Sequence, residues 1–347
     1  MKTLQQVIDE LKAYDGEPFK IMEVCGTHTS SIFKNGIRSL ISPKIELISG
    51  PGCPVCVTSS AYIDKLVEYS LMENYCVLTF GDMMKVKGNR SSLTEAGAFG
   101  AKSRILYSPL DAVKVARENK NTQFVFAAVG FETTIPIYAV LIEEIVQNKI
   151  DNLKILTSLK TIVPAISFLC ENEENIDAFL CPGHVSVITG SGVYRELAEK
   201  YHKPFVVGGF EGEHILAAIY EIMHQLQKKQ YTMENKYPNA VSENGNIKAQ
   251  AMISKYFEVV DDYWRGIGII KGSALRLRQE YAAYDAGSNF DAQVETPPKG
   301  CRCTDVILGR IHPVDCPLFA QLCTPSNAIG PCMVSTEGVC GIWYKNR

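Results

Sequence analysis

Apolar and polar positions follow two different rhythms along the first two-thirds of the chain. Short, nearly continuous apolar runs read FKIMEV, IELISG, NYCVLTF, SRILYS, QFVFAAV, LKILTSL, AFLCPG and PFVVGG. Their length, their β-branched and aromatic content and the turn residues near their ends predict buried strands. Between them lie SSAYIDKLVEYSLME, LDAVKVAREN, IPIYAVLIEEIVQNK and GEHILAAIYEIMHQLQKK, where apolar residues recur at three- and four-residue spacing. Those segments predict helices. At the amino end Leu4, Val7, Ile8 and Leu11 mark one more amphipathic helix. Strand–helix alternation predicts an α/β fold of parallel sheets covered by helices.

Eight strands suit two similar α/β units better than one wide sheet, with the break at the polar stretch Asn119–Thr122. The expected organisation has four parts. An amino-terminal helix over residues 1–18 packs on the carboxy-terminal domain. One α/β domain covers 19–121 and a second covers 122–235. A carboxy-terminal domain covers 236–347. The polar segment from Lys229 to Gly245 reads as a linker, and MISKYFEVVDDYWRGIG and SALRLRQEYAAYDA after it read as helical. From Thr296 onward the chain is loop-rich and proline-rich, and a bound metal cluster would supply the order that apolar periodicity does not.

Several loops after predicted strands have unusual compositions: Cys25-Gly-Thr27-His28, Gly50-Pro-Gly-Cys53-Pro-Val-Cys56, Gly81-Asp82, Gly130-Phe-Glu132-Thr133-Thr134, Pro182-Gly-His184 and Gly208-Gly-Phe-Glu211. Ligands of open α/β sheets bind outside the carboxyl ends of the strands. These loops are expected to gather there, and two such units facing each other would form a cleft. Gly130-Phe-Glu and Gly209-Phe-Glu share a tripeptide, a faint sign of internal repetition.

Composition narrows the function classes. The 347 residues are 46% hydrophobic and 21% charged with a net charge of −3, so nothing draws the chain electrostatically to nucleic acid or an anionic membrane. No apolar run reaches the roughly 18–20 residues of a membrane span. The amino end lacks a signal-peptide core. The expected location is the cytoplasm, where thiols stay reduced and clustered cysteines more often bind metal or catalyse.

Six of the twelve cysteines lie between Cys301 and Cys340. The last four, Cys316, Cys323, Cys332 and Cys340, are separated by six, eight and seven residues. Four thiolates suit a tetrahedral zinc or a four-iron cluster. Zinc sites favour close C-x₂₋₄-C pairs, which these four lack, and wider spacing fits a larger cube. The pattern is not the ferredoxin run, and Cys301 and Cys303 compete as ligands. The plainer reading, unligated thiols in a loop-rich tail, leaves many oxidisable groups without a purpose. Glu337, shortly before Cys340, is expected near the cluster.

Cys53 and Cys56 form a C-x-x-C pair that can cycle between dithiol and disulfide or ligate metal. Cys25 stands at a strand end beside His28 and helix-start amides, which predicts a depressed pKa and a role as nucleophile or as soft ligand for iron. His28 and His184 lie in strand-end loops and can hydrogen-bond a metal-bound ligand. Glu132 and Glu211 read most simply as caps or ion-pair partners. Cys76, Cys170 and Cys181, in apolar surroundings, read as packing residues, and His202, His214, His224 and His312 as ordinary polar or packing residues. No Walker A sequence, dinucleotide glycine fingerprint or C-x₃-C-x₂-C run is present, which weighs against a cluster-dependent thiol-redox enzyme acting on a small metabolite. A structural zinc protein is the third alternative.

Taken together, Cys25-Gly-Thr-His28, Gly50-Pro-Gly-Cys-Pro-Val-Cys56, Gly130-Phe-Glu-Thr-Thr134, Pro182-Gly-His-Val-Ser186 and the Cys316–Cys340 pattern resemble the signatures of HypD, the [NiFe]-hydrogenase formation and maturation family. The resemblance runs from about Phe19 to Tyr344, in the same order throughout. It implies two similar α/β domains and a third domain holding a [4Fe–4S] cluster on Cys316, Cys323, Cys332 and Cys340. It implies an assembly scaffold rather than a turnover enzyme, which binds a HypC-type small chaperone and accepts cyanide from a HypE-type carrier. An Fe(CN)₂CO unit would be built there, its iron held by Cys25 and a partner's cysteine. Cys53 and Cys56 would be the redox pair, recharged from the cluster. His28 would join Cys25, Cys53 and Cys56 as a catalytic residue, and Thr27, Glu132, Thr133, Thr134, His184 and Glu337 would support the site.

Overall fold

The computed structural model describes residues 2–289, 295 and 298–347. Among them, eleven strands form in chain order: β1 (Phe19–Glu23), β2 (Ile45–Ser49), β3 (Tyr75–Thr79), β4 (Ser103–Ile105), β5 (Gln123–Gly130), β6 (Leu153–Lys160), β7 (Ala178–Pro182), β8 (Phe205–Gly208), β9 (Met233–Asn235), β10 (Phe257–Trp264) and β11 (Gly268–Leu277). All eight apolar runs are strands, and the amphipathic segments are helices at Leu4–Ala13, Ser60–Leu71, Asp111–Glu118, Ile135–Gln147 and Gly212–Lys228. Local chemistry sets their starts. Thr3 and Gln6 form a reciprocal capping box, and Ser59 accepts from the Tyr62 amide, each satisfying an amide that has no partner within the helix.

Two compact units share the chain, each assembled from separated segments. One comprises Met1–Cys53, Ala165–Ile247 and Pro297–Arg347, the other Pro54–Pro164 and Lys248–Thr296. The chain therefore changes unit inside the C-x-x-C motif.

The first unit is built on a parallel sheet of order β2-β1-β7-β8-β9. Its core joins Leu11, Phe19, Ile21, Ile32, Leu47, Leu180, Val206, Ile219 and Ile222. Each such side chain contributes about 1.5–3 kcal/mol by burial. The amino-terminal helix, expected on the carboxy-terminal region, packs on the helix Gly212–Lys228, because Leu11 fills this core. Within the stretch expected to be a linker, β9 adds itself to the sheet edge beside β8.

The second unit is built on a sheet of order β10-β11-β6-β5-β3-β4. Pairings among β3, β4, β5 and β6 are parallel, while β11 runs antiparallel to β6 and to β10. Phe126, Tyr138, Ile142, Leu153, Ile155, Phe257 and Leu275 share its core. The hairpin β10–β11 departs from the helical expectation. Only Ile247–Tyr256 is helical there, with a short 3₁₀ turn at Gln279–Tyr284. Val259, Val260, Tyr263 and Trp264 favour a pleated surface, and β6 offers an open edge for β11 to pair with.

The expected domain limits also differ from these units. β1 and β2 pair with β7 and β8, while β3 and β4 pair with β5 and β6, so both sheets draw strands from either side of residue 121. Residues 248–296 go with the second unit and the cysteine-rich tail with the first. Apolar periodicity marks strands but carries no information on which strands are neighbours. No helix among the described residues is long and apolar enough to cross a membrane.

Candidate functional site

Cys25 stands where β1 ends and the helix Gly26–Lys34 begins, as its extended N-cap residue. Its sulfur accepts from the main-chain N–H groups of Thr27 and His28. The expectation of a depressed pKa does not hold. Burial pushes the thiol up to about 11, with the nearby Glu23 charge adding to it and the two amides only partly opposing it. Ionisation of Cys25 is thus disfavoured, and a bound cation would help to draw off its proton.

Glu23 is a residue that sequence reasoning passed over. It is buried in β1 and accepts from the hydroxyls of Thr29 and Ser49 and from the Cys25 amide. Burial raises its pKa to about 7 against these hydrogen bonds. One carboxyl thereby ties together the Cys25 turn and the end of β2, which leads into Gly50-Pro-Gly-Cys53. An acid directly after the apolar pair Ile21–Met22, at the buried end of β1, was the available signal.

Two glycines allow main chains to converge on Cys25. A Cβ on Gly52 would lie 2.5 Å from the Cys25 nitrogen and 2.7 Å from its Cα. A Cβ on Gly26 would strike the carbonyl oxygen of Glu337. The first unit therefore brings the turn carrying Cys53 and the turn between Cys332 and Cys340 onto the Cys25 loop. Cys53 is buried there; Cys56 is buried in the second unit.

His28 and His184 flank one ring. The Phe210 centroid lies 4.7 Å from His28 and 3.9 Å from His184. His28 is fully buried and its Nε2–H donates to the Gly209 carbonyl at 3.0 Å, which leaves Nδ1 without a partner. Burial drops its pKa to about 4, so the imidazole is neutral and Nδ1 is an acceptor. His184 is also lowered by burial. The Gly208-Gly209-Phe210 loop, singled out by composition, thus holds both histidines. His214, read as ordinary, joins this group through Tyr237 at 5.3 Å.

Cys316, Cys323, Cys332 and Cys340 are all buried. The Ile329 amide donates to the Cys323 sulfur at 3.4 Å, as does that of Gly330. Cys340 is hydrogen-bonded to the thiols of Cys303 and Cys332. A Cβ on Gly330 would lie 2.5 Å from the Cys303 sulfur and 2.9 Å from that of Cys301. The C-x-C pair therefore shares this thiol-rich pocket, a grouping that spacing alone did not decide. Burial raises the Cys323 thiol, the two amides opposing it only in part, and Cys340 is raised as well, so a bound metal would have to draw off their protons. Among the described residues no three His, Cys, Asp or Glu side chains are drawn in around a single ion.

In the second unit Glu132 follows β5. It is buried, one oxygen accepts the Ile162 amide at 2.8 Å, and the other has no partner. Burial lifts its pKa to about 7. Thr133 is exposed and Thr134 stands at the start of the helix Ile135–Gln147 without a side-chain capping bond. The short helix Pro54–Val57, which carries Cys56, packs on β5. Next to it Thr58 meets Ser158 of β6 at 3.1 Å.

Comparison with known proteins adds to this geometry. The HypD family model, described as "Hydrogenase formation hypA family", matches residues 1–347. The chain is 40% identical to the hydrogenase maturation factor HypD of Escherichia coli (strain K12), over 99% of this chain and 95% of that protein. It is 39% identical to HypD of Rhodobacter capsulatus, over 99% and 93%, and 38% identical to HypD of Cupriavidus necator, over 96% and 91%.

Proposed function

The chain belongs to the HypD family, and from that premise we propose that it is a hydrogenase maturation factor on which the Fe(CN)₂CO unit of a [NiFe]-hydrogenase is assembled in the cytoplasm. The observation that carries this reading is the convergence on Cys25 of the Cys53 turn and of the turn between Cys332 and Cys340, within one compact unit. Iron is the cargo. Cys25 holds it together with a cysteine of a HypC-type chaperone, and the thiol proton leaves as iron binds. Thiolates suit low-valent iron carrying strong-field ligands.

Cyanide comes from a thiocyanate on a HypE-type carrier. Its release as cyanide, with the carrier's thiol restored, takes two electrons and one proton. Oxidation of the Cys53 and Cys56 dithiol to a disulfide supplies two electrons and two protons. Cys316, Cys323, Cys332 and Cys340 hold a [4Fe–4S] cluster, which when bound supplies electrons one at a time. Neutral His28 keeps the Gly209 loop closed against the helix that Cys25 caps.

Iron, sulfide and zinc, measured with the visible spectrum on oxygen-free protein, test the metal assignment. About four irons and four sulfides per chain, lost in Cys323→Ala, support the cluster. Stoichiometric zinc without colour would sink it. Replacing Cys53 and Cys56 with Ala should retain the cluster and abolish cyanide transfer; transfer at the normal level would refute the dithiol's role.

A further inference from the structure

The contact between Gly26 and Glu337 is made by main chain on main chain. A Cβ on Gly26 would collide with the Glu337 carbonyl and lie 3.0 Å from the Glu337 Cβ. The same turn is pinned from its other side, where a Cβ on Gly338 would strike the Cys332 carbonyl and the Gly338 amide donates to Ser335 at 3.1 Å. The following helix, Val339–Lys345, carries Cys340 and packs on the helix that Cys25 caps. Phe33 meets Trp343 edge-on at 5.0 Å, and the Arg38 guanidinium lies 5.0 Å from the same indole. Cys25 is thus coupled to Cys332 and Cys340 by two routes, a turn with no side chain to give way and a packed pair of helices. Close-packed groups of this kind transmit displacement instead of absorbing it.

We propose that the Ser335–Gly338 turn is a positioning element for Cys25: its main chain seats Gly26, so that filling the thiol site of Cys323, Cys332 and Cys340 sets the direction and exposure of the Cys25 thiol. The inference rests on reading those cysteines as cluster ligands. Its consequence is an order of assembly. The resident cluster comes first, and only a chain that carries it presents Cys25 correctly to incoming iron. Glycine at 26 is then a requirement of the site and not only of helix initiation, since a cysteine-capped helix starting with Ala would form as readily.

The test uses the full chain, prepared without oxygen. Iodoacetamide modification of Cys25 is followed by mass spectrometry of its peptide at one pH, alongside iron and sulfide content and circular dichroism. Gly26→Ala should keep its iron and sulfide but change the Cys25 modification rate on the order of tenfold, as small displacements of a reacting group do. Cys340→Ala should lose the cluster and shift the Cys25 rate in the same sense. A folded, iron-loaded Gly26→Ala protein modified at the wild-type rate would overturn the proposal, as would a Cys340→Ala protein whose Cys25 rate is unchanged. Where Gly26→Ala fails to fold, Gly338→Ala displaces the turn from the Cys332 side and is judged by the same two outcomes. Wild-type protein without iron and sulfide ends the cluster reading instead. The Cys25 rate in Gly26→Ala then still decides whether the turn positions Cys25, an unchanged rate refuting it.

Discussion

Glu132→Gln isolates the cost of burying one carboxyl at the end of β5. The side chain is buried, only one of its oxygens has a partner, and its pKa is raised from 4.5 to about 7 by burial. The native state therefore holds this proton over a pH range in which the unfolded chain has released it. Stability falls as pH climbs from about 4.5 to 7 and then levels off, because above 7 both states are ionised. A shift of this size corresponds to about 3 kcal/mol. Glutamine keeps the shape and an oxygen for the Ile162 amide but cannot ionise, so the variant escapes the loss.

Near pH 5 the two proteins should be close in stability, both burying one polar group without a partner. By pH 8 the variant should be ahead by roughly 2–3 kcal/mol, or on the order of 5–10 °C in Tm for a unit of this size. Thermal melts of both proteins at half-unit steps from pH 5 to 8.5 provide the comparison, with the difference curve as the readout. A difference that stays flat with pH, or that favours the wild type as pH rises, would refute the reasoning.

Other consequences follow from single contacts. Lys160 is buried, with its ammonium on Asp262 at 2.6 Å and on the Tyr263 carbonyl at 2.8 Å. Lys160→Met should destabilise by about 3 kcal/mol, and Lys160→Met with Asp262→Leu should recover most of it; urea melts check both, and a double variant no better than the single one contradicts the pairing. Gly52→Ala should cost about 1–3 kcal/mol through its collision with the Cys25 main chain, and a loss below about 0.5 kcal/mol in the same assay counts against that close approach. His28→Phe leaves the Gly209 carbonyl without its donor, so a loss of about 1–3 kcal/mol is expected by denaturant titration, and unchanged stability would show that the bond contributes nothing.

Much of this architecture was legible before any coordinates. Every apolar run became a strand, because runs that short, rich in β-branched and aromatic residues and bounded by turn residues, are buried more readily in a sheet than in a helix. Misreadings concentrate where local signals are degenerate. Val259, Val260, Leu275 and Leu277 suit either a helix face or a pleated surface, and the free edge of β6 decides between them. β9 is three residues long and too polar to announce itself. Strand order was illegible for a different reason, since pairing β1 with β7 joins positions more than 150 residues apart.

The alternation of apolar runs and amphipathic segments, the cysteine pattern and the strand-end loops are properties of the sequence; the first determined the α/β class and the others the family. Tertiary structure alone decided how these parts act on one another. It raised the Cys25 thiol where its neighbours in sequence promised a depressed one, because burial outweighs the amide hydrogen bonds to its sulfur. It gave Glu23 a role, kept His28 neutral and set Cys301 and Cys303 against Gly330. It brought residue 337 onto residue 26. Spacing along a chain specifies which groups are present and how they alternate, whereas desolvation and charge act through distance in space, which only the folded chain defines.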